Sequence, residues 1–407
     1  MPNKERNIPK RRFKEFENAD AWELRKLGEV VYRSNITSSS KVLPRLEFED
    51  INSGLGTLNK DIFQKVNDDR KGLEFNEGDV LFGKLRPYLK NWWYAEFNGI
   101  ALGDFWNLKS DVWHSCFLYT YIQSNAFQLV ANDTSGTKMP RSDWNLVAES
   151  IAKFPTLPEQ SAIGTFFSTL DRHITLHQRK LDKLKSVKQA YLSEMFPAEG
   201  ERVPKRRFPG FTDDWELRKL GEVADVTKLA GFEFTEHVVY SEEGNIIALR
   251  GLNIKDGRLV LDDVKYIDGS NFSKLNRSKL YVDDIMFTYV GTVGEVAIIK
   301  ENDRFYLAPN VSRIRVQSED SSKFISHYIR SEFFYNRVIF PLIATSSQPA
   351  LSMENIRKFD IFLPIINEEQ IRISELFDTL DRQITLHQRK LEKLKNLKKA
   401  LLNELFV

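Results

Sequence analysis

TLDRHITLHQRKL, residues 169–181, returns at 379–391 as TLDRQITLHQRKL, with one change in thirteen positions. Each copy lies inside a longer apolar pattern. Ile163, Phe167, Leu170, Ile174, His177, Leu181, Leu184, Val187 and Tyr191 recur at spacings of about four and three. Ile373, Phe377, Leu380, Ile384, His387, Leu391, Leu394, Leu397 and Leu401 do the same. Such a seam predicts helices over 159–196 and 368–406 that pack on a partner helix as a coiled coil. At about 1.5 Å per residue each would run roughly 57 Å, too long to bury its seam on its own compact domain. The seams match, so the two helices are expected to pack on each other. Neither segment holds an internal proline, and Gly164 is the lone glycine.

Outward from the helices the repetition continues. PKRRF stands at 9–13 and 204–208, and WELRKLGEV at 22–30 and 215–223. A self-similarity of this period sets the architecture before any local feature does. Two tandem units of about 200 residues follow, framed alike but filled differently: residues 31–158 hold five of the seven tryptophans, and 224–366 hold none. Weak likeness survives between EGDVLF at 77–82 and DDIMF at 283–287, and between FLYTYIQSNAF at 117–127 and FISHYIRSEFF at 324–334. Short β-like runs (Val80–Phe82, Ile246–Leu249, Ile285–Tyr289, Val296–Ile299, Ser312–Val316) alternate with helix-like text such as Lys323–Arg337. The expected class is α+β: two mixed α/β globular domains joined by two long antiparallel coiled-coil helices, with a pseudo-twofold internal repeat.

The chain's 407 residues predict two or three domains, and 42% apolar content with 29% charged excludes disordered and collagen-like classes. One cysteine, Cys116, leaves no disulfide scaffold and no cysteine-built zinc site. The charged start, MPNKERNIPKRRFKEF, is no signal peptide, and no apolar run approaches the roughly 18–20 residues of a membrane span, so a soluble cytoplasmic protein is expected. GDVLFGK at 78–84 mimics a phosphate loop, but Leu85 stands where Ser or Thr would hold magnesium and Pro87 interrupts the helix that should follow. GTVG at 291–294 lacks the third glycine of a dinucleotide fingerprint. His177 and His387 lack a spaced second ligand and read as seam residues. No hydrolase, metalloprotease or methyltransferase motif is present, so the chain is expected to be non-catalytic, with no metal or cofactor of its own.

The ordered frame RRFPGFTDDWELRKLGEV (206–223), then a variable block with GDVLF-like text, then a Ser/Thr/Gln loop leading into LP…EEQ and a long helix, resembles the DNA specificity subunit of type I restriction–modification systems. The resemblance covers both units. It implies an N-terminal frame (1–30), target recognition domain 1 (31–158), a central long helix (159–198), a linker with the second frame (199–223), target recognition domain 2 (224–366) and a C-terminal long helix (367–407). Each recognition domain would read one half of a bipartite site in double-stranded DNA, and the helices would set the unread spacer. Two methyltransferase subunits would bring S-adenosylmethionine chemistry, and restriction/translocase subunits ATP and Mg. The rival class is a coiled-coil adaptor whose two heads bind protein.

Charge does not decide between these. Residues 31–158 carry 14 Lys+Arg against 15 Asp+Glu, and 224–366 carry 17 against 19, so DNA reading must use local patches. In unit one Lys84, Arg86, Tyr88 and Lys90, with Trp92 and Trp93, lie in an acid-free stretch, and Lys138 and Arg141 lie in SGTKMPR (135–141). In unit two the matching candidates are Tyr289 and Thr292, then Ser347 and Gln348 in TSSQPAL (345–351), with Arg250 and Asn253 in LRGLNI as further nominations. Arg and Lys can bond guanine or phosphate, and Gln adenine. The same residues also suit core aromatics, solvated cations and plain turns. The basic triplets at 10–12 and 205–207 suit linker charge and DNA contact equally.

Overall fold

The computed structural model describes residues 7–63, 68–134, 138–343 and 348–406. It divides into two compact units, Met1–Leu181 with Leu386–Val407, and Asp182–Thr385. The helices Leu157–Glu194 and Asn367–Leu405 each give one part to either unit.

Unit one is built on a four-stranded antiparallel sheet in the order Tyr32–Ser34, Phe105–Lys109, Val80–Gly83, Trp92–Tyr94. Unit two has the same order: Ala224–Lys228, Val311–Val316, Ile285–Thr288, Val296–Ile298. The inner strands Val80–Gly83 and Ile285–Thr288 are buried throughout, as expected of a strand covered on both faces. The second sheets differ. In unit one Gly99–Ala101 lies between Gly72–Phe75 and its parallel neighbour Arg45–Leu46. In unit two Ile247–Leu249 is central, between Lys265–Tyr266 and its parallel neighbour Phe305–Leu307.

The repeated words have physical reasons. In WELRKLGEV, Glu23–Lys26 pairs antiparallel with Ile151–Phe154, and Glu216–Lys219 with Asp360–Leu363. A one-turn helix follows, with Trp22, Leu27 and Val30, or Trp215, Leu220 and Val223, in the core. The Arg of PKRRF and the Glu-Gln of the long helices form a latch. Arg12 grips Glu159, which is fully buried, and Arg207 grips Glu369. Gln160 accepts a hydrogen bond from the backbone N–H of His114 (2.8 Å), as Gln370 does from Ser321 (2.9 Å). Arg12 and Arg207 are therefore packed frame residues rather than free linker charge. The phosphate-loop mimic is a turn lock: Asp79 accepts from Asn76 N–H (2.9 Å) and from the Asn107 amide (2.9 Å), and Asp284 from Tyr281 N–H (2.7 Å).

The long helices start at Leu157 and Asn367, close to the expected bounds. Within unit one the two helical segments run antiparallel, because Lys398 meets Asp171 while His387 meets His177, Nδ1 to Nδ1 at 2.8 Å. In unit two Phe196 stacks on Phe377 (5.9 Å, 10° between planes) and on Tyr328 (4.7 Å), fusing the helix ends with the core of the head. Leu397 departs from the expected seam: it is 43% exposed, and Lys398 turns inward instead. The expected helix Lys323–Arg337 is broken, with Ser322–Ile329 ending before Ser331 caps a new turn through a hydrogen bond from Phe334 N–H at 3.1 Å.

Candidate nucleic-acid interface

The two loops nominated in each unit meet in space. In unit one Arg86 N–H donates to Pro140 O (2.7 Å), Ser142 N–H to Lys84 O (2.9 Å), and Lys84 N–H to Asp104 O (2.8 Å). In unit two Gly291 N–H donates to Pro349 O (2.9 Å), Leu351 N–H to Tyr289 O (2.8 Å), and Tyr289 N–H to Asn310 O (3.2 Å). Bridges Leu85–Arg141 and Val290–Ala350 complete the match. One main-chain lattice thus carries Lys84, Arg86, Asp104 and Arg141 in one unit, and Tyr289, Gly291, Asn310 and Ala350 at the same addresses in the other.

Unit one presents cations. Arg86, Tyr88 and Lys90 are exposed, and Arg86 and Lys90 both adopt left-handed backbone angles (φ 49° and 57°) around the turn Pro87–Leu89. Among the described residues no ion pair engages the side chains of Arg86, Lys90 or the exposed Lys138. Non-glycine residues at positive φ cost energy and concentrate where side chains must be aimed. Asp104 holds Arg141 (2.9 Å) and reaches Lys84 (3.5 Å), so these two cations already have a counter-ion. Trp92 and Trp93 are buried core, not part of the surface.

Unit two presents a less charged face. Thr292 is exposed, while Tyr289 is 9% exposed and its hydroxyl pKa is raised by burial. Lys228 lies with Nζ 5.4 Å from the Tyr289 ring centre; a single Lys at a strand end gave no signal in the sequence. Gln348 is exposed beside Pro349, and Ser347 lies outside the described residues. Arg250 and Asn253 are corrected. Asn253 is fully buried, with its amide given to Val260 O and Asp263 O and its oxygen taken by Arg250 N–H. Arg250 is paired with Asp263 (2.7 Å). Together they close a turn, as Asp50 does for Glu47 in unit one (2.8 Å).

Residues 212–396 match the family model described as Type I restriction modification DNA specificity domain. The chain is 25% identical over 281 residues to the Type I restriction enzyme MjaVIII specificity subunit of Methanocaldococcus jannaschii, covering 67% of this chain and 65% of that relative. It is 21% identical over 322 residues to the Type I restriction enzyme EcoBI specificity subunit of Escherichia coli, covering 74% and 66%. The matches thus span a little under two thirds of these relatives' length. In fold it resembles the crystal structure of a type I restriction–modification system S subunit from M. genitalium, with TM-score 0.65, 13% identity, and coverage of 98% and 99%. Among the described residues no helix is long and apolar enough to cross a membrane.

Proposed function

We propose that this chain is the DNA-reading subunit of a type I restriction–modification complex, with blocks 31–158 and 224–366 each reading one half of a bipartite double-stranded site. The observation that carries the reading is the twin loop lattice: identical backbone anchors present Lys84, Arg86, Lys90, Lys138 and Arg141 in one unit, and Lys228, Tyr289, Thr292 and Gln348 in the other. Cations at exposed loop tips suit guanine edges and phosphates; hydroxyl, amide and aromatic groups suit a different half-site. The helices 159–198 and 367–407 pair antiparallel as a coiled coil and set the unread spacer. The frames at 1–30 and 199–223 complete the pseudo-twofold plan.

On this reading the chain acts in the cytoplasm and is itself non-catalytic. Two methyltransferase subunits supply S-adenosylmethionine chemistry, and restriction/translocase subunits supply ATP- and Mg-dependent steps. The test is a domain exchange with a related subunit at 31–158, followed by mapping of the methylated sequence in complex with a methyltransferase partner. One half of the site should change and the other persist; a change in both halves or in neither refutes the reading.

A further inference from the structure

The strict four–three alternation in the second long helix runs Ile373, Phe377, Leu380, Ile384, His387, Leu391, Leu394, Lys398, Leu401, Leu405. In the first it runs Ile163, Phe167, Leu170, Ile174, His177, Leu181, Leu184, Lys188, Tyr191. One lysine therefore occupies an apolar seam position in each helix, and the two lysines are repeat-mates. In unit one Lys398 Nζ lies 2.5 Å from Asp171 Oδ1 and 2.5 Å from Gln123 Oε1, with Lys398 and Asp171 side chains only 13% and 19% exposed. In unit two Lys188 bonds Asp381, which also accepts from Arg330 at 3.2 Å. Asp171 and Asp381 are repeat-mates in the 169–181 and 379–391 text, and so are Gln123 and Arg330 in the 117–127 and 324–334 text. The same three-member cluster is thus built twice: an Asp from one long helix, a Lys from the other, and a polar residue from the head.

A charge on a helix seam is costly unless a partner meets it, and a single polar seam residue selects one register among those the apolar residues would allow. Burial is felt at both clusters, raising the pKa of Asp171 and lowering that of Lys188. A slip of either helix would separate Lys from Asp in its unit and leave both uncompensated.

We infer that Lys398–Asp171 and Lys188–Asp381 are register pins of the paired long helices, and that Gln123 and Arg330 tie each head to its pin. These are positioning residues. Resting on the DNA-specificity reading above, they fix the number of base pairs between the two half-sites.

The experiment uses the full chain with its methyltransferase partner and a DNA library of randomised spacer length. Lys188→Met with Lys398→Met should lower the melting temperature, because Asp171 and Asp381 each lose their lysine partner, yet leave the protein folded. It should methylate sites with one base pair more or fewer at least tenfold more often than the parent. Asp171→Lys with Lys398→Asp should restore a single spacing. An unchanged single spacing in the double-Met protein overturns the inference. A readout without DNA keeps the two readings apart: spin labels at the exposed Arg172 and Lys399, in a Cys116→Ser background, report helix register within unit one. A second distance population in Lys398→Met supports the pin, whatever DNA the parent binds, and an unmoved narrow distribution refutes it.

Discussion

Arg12 Nε and Nη2 lie 2.8 and 2.6 Å from the two carboxylate oxygens of Glu159, and Arg207 lays the same fork on Glu369 at 2.6 and 2.8 Å. Both pairs are almost wholly buried, so removing one partner leaves the other charged and stranded. Arg12→Ala or Glu159→Gln should cost about 3–5 kcal/mol in denaturant unfolding, while Arg12→Met with Glu159→Leu should cost much less than either single change. Equal losses in single and double variants would show that the fork contributes little.

Arg86 sits at φ 49°, a left-handed conformation that glycine adopts freely and arginine does not. Arg86→Gly should therefore keep or raise thermal stability, by up to about 1 kcal/mol, while weakening binding to DNA roughly tenfold. Titration of labelled duplex at two salt concentrations measures it. A stability loss, or unaltered affinity, would separate the loop from recognition.

Gly164 occurs inside a long helix because a Cβ there would lie 2.6 Å from Cys116 Cβ and 2.9 Å from its carbonyl carbon. Gly164→Val should destabilise unit one by about 1–3 kcal/mol despite valine's greater bulk of apolar surface. A melting curve decides the sign.

His177 and His387 meet Nδ1 to Nδ1 at 2.8 Å, and both have pKa values below the ordinary histidine range. Burial is the main cause for each. For His177 the next causes are His387, Lys390, Lys180 and His173; for His387 they are Lys180 and Lys390. The folded state prefers both rings neutral, so the unfolded chain takes up more protons below about pH 6.5, and stability falls as pH drops from there. His177→Leu with His387→Leu should flatten the slope of melting temperature between pH 7 and 5; a slope parallel to the parent's contradicts the account.

Matched heptads inserted in both long helices, seven residues each near 181 and 385, add about 10 Å of rise, or roughly three base pairs of duplex. The methylated site should lengthen its spacer by that amount with both half-sites retained. Methylation at the parental spacing would reject the helices as a ruler.

How much of this was readable in the residues depended on the kind of signal. The helices were legible because apolar groups at four–three spacing need a partner face. The loops around Arg86 and Gln348 were legible because Gly, Pro and cations cluster at the first and Ser, Thr and Pro at the second. Lys398 was not, since a hydrophobic template prefers Leu397 and cannot see that a lysine will be neutralised by Asp171, more than two hundred positions away. Asn253 misled for the opposite reason: Arg250 and Asn253 have the donors of a base-reading pair, yet a short turn consumes them. Nor could local text place Gly72–Phe75 and Lys265–Tyr266 against different strands, because long-range pairing decides that.

Amides and carbonyls make the main-chain anchors of both tip loops, with the Asp104–Arg141 ion pair added in unit one and the buried Tyr289 in unit two, while the exposed Arg86 side chain takes no part in them. Proline is barred where an N–H must donate, at 84, 86 and 142 and at 289, 291 and 351. Elsewhere on the rim, letters can be exchanged without rebuilding the platform, so on the proposed reading each head would serve as an interchangeable plate for engineered target preference.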